Sequence, residues 1–290
     1  MELTGQPILF RLADVDCCLD AGGSPYMTAL RRLDPYRIAP GGRASLMLDL
    51  TGNACYAGIG CELYREDTGF YSHRWYRSAD GGTVCRCVRR RDGAVQLGWG
   101  ISPSWDRISL CETGMAGAEA FEYLGLLVPL CLIPHTILTL HGVLMEHKGR
   151  GIIISAPSGT GKTTHARLWR DTRRALIING DRAACRLADG VWMGFGLPWS
   201  GTSGEQINRE VPITAVVVLE RGDVNTAHRV TGMEAFRRVW PHVLRPAWDP
   251  VMTDLALSLT DALLSSVPVI RLCCRPDAAS VDVLDRALPL

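Results

Sequence analysis

Gly151-Ile-Ile-Ile-Ser155, followed at once by Ala156-Pro-Ser-Gly-Thr-Gly-Lys-Thr163, is the stretch on which the reading of this chain turns. A short apolar run closed by a glycine-bearing turn reads as a buried strand, and the residues from Lys162 onward read as a helix. Strand, turn and helix is the setting in which the spacing Ala-x-x-x-x-Gly-Lys-Thr makes a phosphate-binding loop. Backbone N–H groups from Ser158 to Thr163 then point inward around an anion, and the helix adds its positive dipole end. The expected cradle is Ser158, Gly159, Thr160, Gly161, Lys162, Thr163 and Thr164. Lys162 would reach the terminal phosphates. The hydroxyl of Thr163, more than that of Thr164, would ligate a Mg²⁺ bridging them, because this ion wants hard oxygen ligands. Ala156 stands where such loops often carry glycine, which is tolerable if that position needs no positive φ.

Composition sets the frame around the loop. The chain has 290 residues, a formal net charge of +1 and 21% charged residues, values of an ordinary soluble protein of one large domain or two modest ones. No basic excess argues for a nucleic-acid partner. Residues 1–6 lack the basic start of a secretory signal. The most apolar stretch, 124–140, is broken by Pro129, Pro134 and His135, so it reads as buried helix and strand and no membrane partner is expected. The 11 cysteines include the adjacent pairs Cys17-Cys18 and Cys273-Cys274 and the alternating Cys85-x-Cys87, none of which spaces ligands for zinc. Reduced thiols in a cytoplasmic protein are the expectation.

Two rhythms divide the chain. Residues 1–117 show short alternating segments parted by Gly, Pro and Asp-Gly turns, as in 83–90, the turn Asp92-Gly93, then 94–99, and this part is expected to be mostly antiparallel sheet. Arg86, Arg89, Arg90 and Arg91 crowd one end of that hairpin and read as the charges of a solvated edge strand. Helical spacing over 116–128 predicts a connector. From 118 to 290 strands alternate with helices: strands at 137–140, 151–155, 176–178, 215–219 and 267–272, a hairpin 183–187 and 191–195 turned by Asp189-Gly190, and helices at 162–173, near 233–243, at 250–264 and from Ala278. That pattern is α/β.

Phosphoryl transfer needs an acid opposite the loop, either to hold Mg²⁺ or to receive a proton from the attacking hydroxyl. Asp181 follows the strand 176–178, and a strand beside the loop strand would deliver it to the phosphates at the carboxyl edge of the sheet. His141, followed by Gly142, is expected at the end of the strand before the loop, where it could hydrogen-bond a phosphate or steer the acid. The stretch 196–209 is too rich in glycine for core and too rich in functional side chains for a linker. Within it Glu205 is a candidate second metal-side acid and Arg209 a candidate to neutralise charge as the phosphoryl group moves. Glu220, at the end of an apolar strand, is another residue that could face the site.

From Leu140 to about Arg221 the chain resembles the HPr kinase/phosphorylase and PEP carboxykinase-like group, particularly the HPr-kinase-like proteins of peptide modification, lasso-peptide kinases among them. The likeness rests on Leu140-His141-Gly142, the loop from Ala156 to Thr164, Asn179-Gly180-Asp181-Arg182, and Pro198-Trp199-Ser200-Gly201 with Glu205. It implies a P-loop nucleotide-binding domain of HPr-kinase/PEP-carboxykinase type over 118–290; the first hundred or so residues match no family, and the mostly β domain read over 1–117 from its alternation could recognise a substrate or partner. The likeness further implies ATP and Mg²⁺ as cofactors, a homo-oligomer, and His141, Lys162, Thr163 and Asp181 as site residues. Where HPr kinases have two adjacent aspartates this chain has Gly180-Asp181, and their Arg-Gly-x-Gly segment is replaced by the Pro-Trp-Ser-Gly loop, so HPr itself is not the expected substrate.

The expected function is a kinase moving the γ-phosphoryl group of ATP to a hydroxyl, of serine or threonine in a peptide or protein or of a small molecule. A nucleotide-binding regulator without transfer activity is the alternative. A PEP-carboxykinase-type reaction lacks an evident oxaloacetate site.

Overall fold

In a computed structural model, residues 6–22, 27–53, 56, 58–114 and 117–289 are described. The chain divides into two units, Met1–His135 with Pro246–Pro250, and Thr136–Arg245 with Val251–Leu290. The protein is mixed α/β with a large sheet in each. None of the described helices is long and apolar enough to cross a membrane.

The first unit carries β1 (Ile8–Leu12), β2 (Val15–Asp20), the single turn α1 (Met27–Leu30), β3 (Leu46–Asp49), β4 (Ile59–Thr68), β5 (Tyr71–Ser78), β6 (Thr83–Arg89), β7 (Val95–Ile101), β8 (Arg107–Thr113) and α2 (Gly117–Leu132). Its strands lie in the order β1-β2-β3-β8-β7-β6-β5-β4, antiparallel except where β3 runs parallel to β2 and β8. Val84, Cys85, Cys87 and Val88 are all buried, and because successive strand residues face opposite sides, both faces of β6 are covered. The arginine-rich hairpin is therefore not at an edge: β6 is paired on both sides, by β5 and β7. Its charges are met locally instead, Arg86 by Glu112 and Tyr56, Arg89 by Asp92. The helix expected as a connector packs on this same sheet, with the Tyr123 hydroxyl 2.6 Å from His73 Nδ1 and 3.4 Å from Cys85 Sγ. The division between units consequently falls after residue 135 rather than after 117.

The second unit contains β9 (Leu138–His147), β10 (Arg150–Ser155), α3 (Lys162–Arg173), β11 (Leu176–Asn179), β12 (Arg182–Ala188), β13 (Val191–Phe195), β14 (Glu210–Arg221), β15 (Thr226–Val230), α4 (Gly232–Val239), α5 (Pro250–Ser266), β16 (Val269–Cys274) and α6 (Ala278–Ala287). Strands β10, β14 and β16 are parallel neighbours in that order. Strand β9 flanks β10 and β15 flanks β16, both antiparallel. The first half of β9 pairs with β12 and its second half with β11. Hairpin β12–β13 then ties β9 to the start of β14.

Ala166 and Trp169, one turn apart on α3, are fully buried with Val281 and Leu284 of α6 against Ile152, Ile154, Val217 and Ile270 of the sheet. This two-layer core fixes α3 at the carboxyl end of β10, because a helix with one apolar stripe must cover a sheet face to bury it.

Candidate functional site

The loop between β10 and α3 is an open cradle. Gly159 and Gly161 have φ of 74° and 118°, a region L side chains avoid, and nothing lies within 4 Å of where a Cβ would stand on either. Gly161 is the N-cap of α3 and offers no side-chain cap, so the first-turn amides, which have no intrahelical partner, are left for a ligand. Arg221, at the end of β14, donates from Nε to Thr160 O at 3.2 Å and from Nη2 to Gly159 O, steadying the rim of the loop from outside.

Lys162 folds back beneath the cradle. Its ammonium donates to Ala156 O at 2.8 Å and to His141 Nε2 at 3.0 Å. Burial lowers its pKa against the opposing pull of Asp181. Burial also lowers the pKa of His141, and Lys162 lowers it further. With Nε2 accepting from lysine, the neutral ring carries its proton on Nδ1, which lies 3.4 Å from Asp181 Oδ1. The other oxygen of Asp181 is 3.1 Å from Arg182 Nη1. Lysine, imidazole and carboxylate thus form one line, three side chains from α3, β9 and the β11–β12 turn.

The backbone explains how they meet. Gly142 lies opposite Ser155, the last residue of β10, and a Cβ on Gly142 would come within 2.8 Å of Ile154 O. Its N–H donates to Asp181 O at 2.9 Å. His141 sits four residues into β9, not at a strand end, because β9 runs antiparallel to β10 and begins beyond the loop. Asp181 is likewise not delivered by a strand next to β10: its carrier β11 pairs with β9, one strand over. Fully buried Asn179 sets the turn. Its amide donates to Leu197 O and Trp199 O at 2.9 and 3.0 Å, and its carbonyl accepts from the N–H groups of Asp181 and Arg182 at 3.0 and 2.7 Å.

Two expected members lie elsewhere. Arg209 grips Glu146, with Nη2 2.9 Å from Oε1, and Glu146 pairs with Gly151 at the start of β10. At a strand rise of ~3.3 Å per residue, the four residues from Gly142 to Glu146 carry it about 13 Å down the sheet from the loop. The arginine beside Asp181 is Arg182 instead. Glu205 faces the flank of α3: Arg170 Nη1 lies 2.8 Å and Arg167 Nη2 3.7 Å from its oxygens, one to two turns beyond Thr163. Two arginines occupy the carboxylate that was expected at a metal. Glu220 is likewise held, by Arg238 and Arg271.

Among the described residues no three His, Cys, Asp or Glu side chains gather as a metal site. Asp181, expected at a metal, is held by His141 and Arg182, and the hydroxyls of the loop are the other hard oxygens nearby in sequence. So small a set fits Mg²⁺, which keeps several waters and shares itself with phosphate oxygens. On the β14–β16 side the loop opens into a cavity of about 690 Å³ lined by Thr160, Thr164, Leu219, Arg221 and Arg275 among others, a volume within the usual range of small-molecule sites.

Asn179, Arg182 and Arg221 were not singled out from sequence as working residues. A polar residue closing the apolar run Leu-Ile-Ile was a signal for the first, and the stretch Asn179-Gly180-Asp181-Arg182 behind the family likeness already held it together with Arg182; Arg221 gave none. No family model matches the chain, and no curated protein matches it in sequence. Among solved structures it is similar to the Hpr(Ser) kinase/phosphatase from Coxiella burnetii, at 11% identity and a TM-score of 0.32, over 51% of this chain and 88% of that one.

Proposed function

We propose that the second unit binds ATP along residues 156–164 and transfers its terminal phosphoryl group to a hydroxyl acceptor. One observation carries the reading: an uncapped helix N-terminus behind two left-handed glycines adjoins the line Lys162–His141–Asp181. Amides and a lysine suit an anion, and a carboxylate held by a neutral imidazole suits a proton.

In this reading the nucleoside half occupies the cavity lined by Arg221 and Arg275, which leaves the terminal phosphate toward Lys162 and His141. The acceptor oxygen attacks the γ-phosphorus as the bond to the bridging oxygen breaks and ADP departs, and the hydroxyl proton passes to Asp181. His141 Nδ1–H orients that carboxylate, and Arg182 offsets charge beside it. Lys162 exchanges Ala156 O for a phosphate oxygen. Mg²⁺, held through Thr163, would supply charge neutralisation along the triphosphate. A loose transition state asks chiefly for such positioning.

Incubation with γ-labelled ATP and a panel of serine- and threonine-bearing peptides and small alcohols tests this. Label should reach a hydroxyl in the wild type and in no reaction with Lys162→Ala. ATP that raises the melting temperature while label reaches no acceptor would favour a nucleotide-binding regulator instead.

A further inference from the structure

The stretch Trp240-Pro-His-Val-Leu-Arg245 matches no motif, yet it completes the sheet edge next to the loop. Strand β10 ends opposite Gly142, and beyond that point the edge of β9 is taken up by this segment. Leu140 faces Val243 in an antiparallel bridge, and Leu244 N–H donates to Thr139 O at 2.9 Å. The turn Trp240–His242 leads into the bridge. Arg245 staples it, its guanidinium 4.0 Å from the centre of the Trp240 ring and its Nη1 donating to Trp240 O and Val243 O, both at 3.0 Å. A cation stacked on indole with two carbonyls accepting from it is a stiff arrangement.

His242 is therefore held one residue from the position opposite Leu140, beside His141. Its ring is half-buried, and no described side chain hydrogen-bonds it. Burial pushes its pKa down to about 4, and His141 and Lys162 push in the same direction. So a lysine and two neutral imidazoles, from α3, β9 and this turn, share one patch, and the third has a polar ring without a partner. An N–H donor next to an ammonium lacks an anion.

We infer that His242 is a further ligand-binding residue of this site, donating a ring N–H to the terminal phosphate of the bound triphosphate. The inference rests on the nucleotide reading proposed above and adds a contact that distinguishes ATP from ADP.

Calorimetric titration of the full chain with Mg-ATP and with Mg-ADP tests it. His242→Ala should weaken ATP binding about tenfold, the size of one lost hydrogen bond to a charged group, while ADP affinity stays within about twofold. His242→Gln, which keeps an N–H donor, should recover part of the loss. If the alanine variant does not fold, His242→Phe keeps the ring's bulk without the donor and should show the same selective loss. An equal loss for both nucleotides, or no loss, overturns the inference while leaving nucleotide binding intact. Wild type that binds neither nucleotide overturns both.

Discussion

In the proposed reading Lys162 is the residue that meets the phosphate. Its ammonium is held by His141 and by the Ala156 carbonyl, which a phosphate oxygen would replace, so its removal should cost ligand affinity far more than stability. Lys162→Ala is expected to weaken ATP binding by roughly ten- to a hundredfold, the range for a hydrogen bond to a charged group, with little change in melting temperature; calorimetry and thermal melts check the two halves. Asn179 should behave oppositely to first order. Truncating it leaves two buried carbonyls and two N–H groups without their partner, so Asn179→Ala should lower stability by about 3 kcal/mol, read from urea denaturation. At this scale the sequence was legible where the structure was local: the strand, the glycine-bearing turn and the helix over 151–173 appear as read. It was not legible for Arg209, whose partner Glu146 is 63 residues away, because nothing in a linear pattern says which carboxylate an arginine will find.

Among elements, the turn between β11 and β12 leaves no room for a side chain at its glycine. A Cβ on Gly180 would come within 2.1 Å of Ser203 Oγ and 2.6 Å of Ser203 Cβ, so the short helical turn Gly201–Ser203 fills the volume a side chain at 180 would need. Gly180→Ala should therefore destabilise by about 1 to 3 kcal/mol, and Ser203→Gly in the same chain should recover a good part of that. Full additivity of the two changes in a double-mutant cycle would show that they do not share this contact. Element positions were readable where periodicity was strong: the helix at 162–173 and the hairpin with its Asp189-Gly190 turn appear as expected. Pairing was not readable. The strand before Asp181 joins β9 rather than β10, and β6 lies inside its sheet despite four nearby arginines, because partner choice is settled by long-range packing that local charge does not reveal.

For the whole molecule, buried neutral histidines set the response to acid. His165 accepts from Trp169 Nε1 at 3.2 Å on Nε2 and lies 3.3 Å from Ser280 Oγ on Nδ1, and burial lowers its pKa to about 4. Between there and the ordinary value near 6.5 the unfolded chain binds a proton that the folded one refuses. Stability is thus full above about pH 6.5 and falls as pH drops toward 4, by on the order of 3 kcal/mol for this ring; His242 contributes in the same direction. Denaturation midpoints between pH 7 and 4.5 should show that slope, and His165→Gln should reduce it by about one proton, an unchanged slope counting against the assignment. The same scale shows what sequence could not supply. The boundary after residue 135 depends on Tyr123 reaching across to His73 and Cys85, a contact between residues about forty to fifty apart.

The most direct test of the central claim, that main-chain amides at the start of α3 wrap a phosphate chain, is amide chemical-shift mapping with a non-hydrolysable ATP analogue. The largest shifts are expected at residues 158–164, with the Gly159 and Gly161 signals foremost and the response displaced to higher analogue concentration in Lys162→Ala. Shifts confined to other parts of the chain, or none at saturating analogue, would contradict the account.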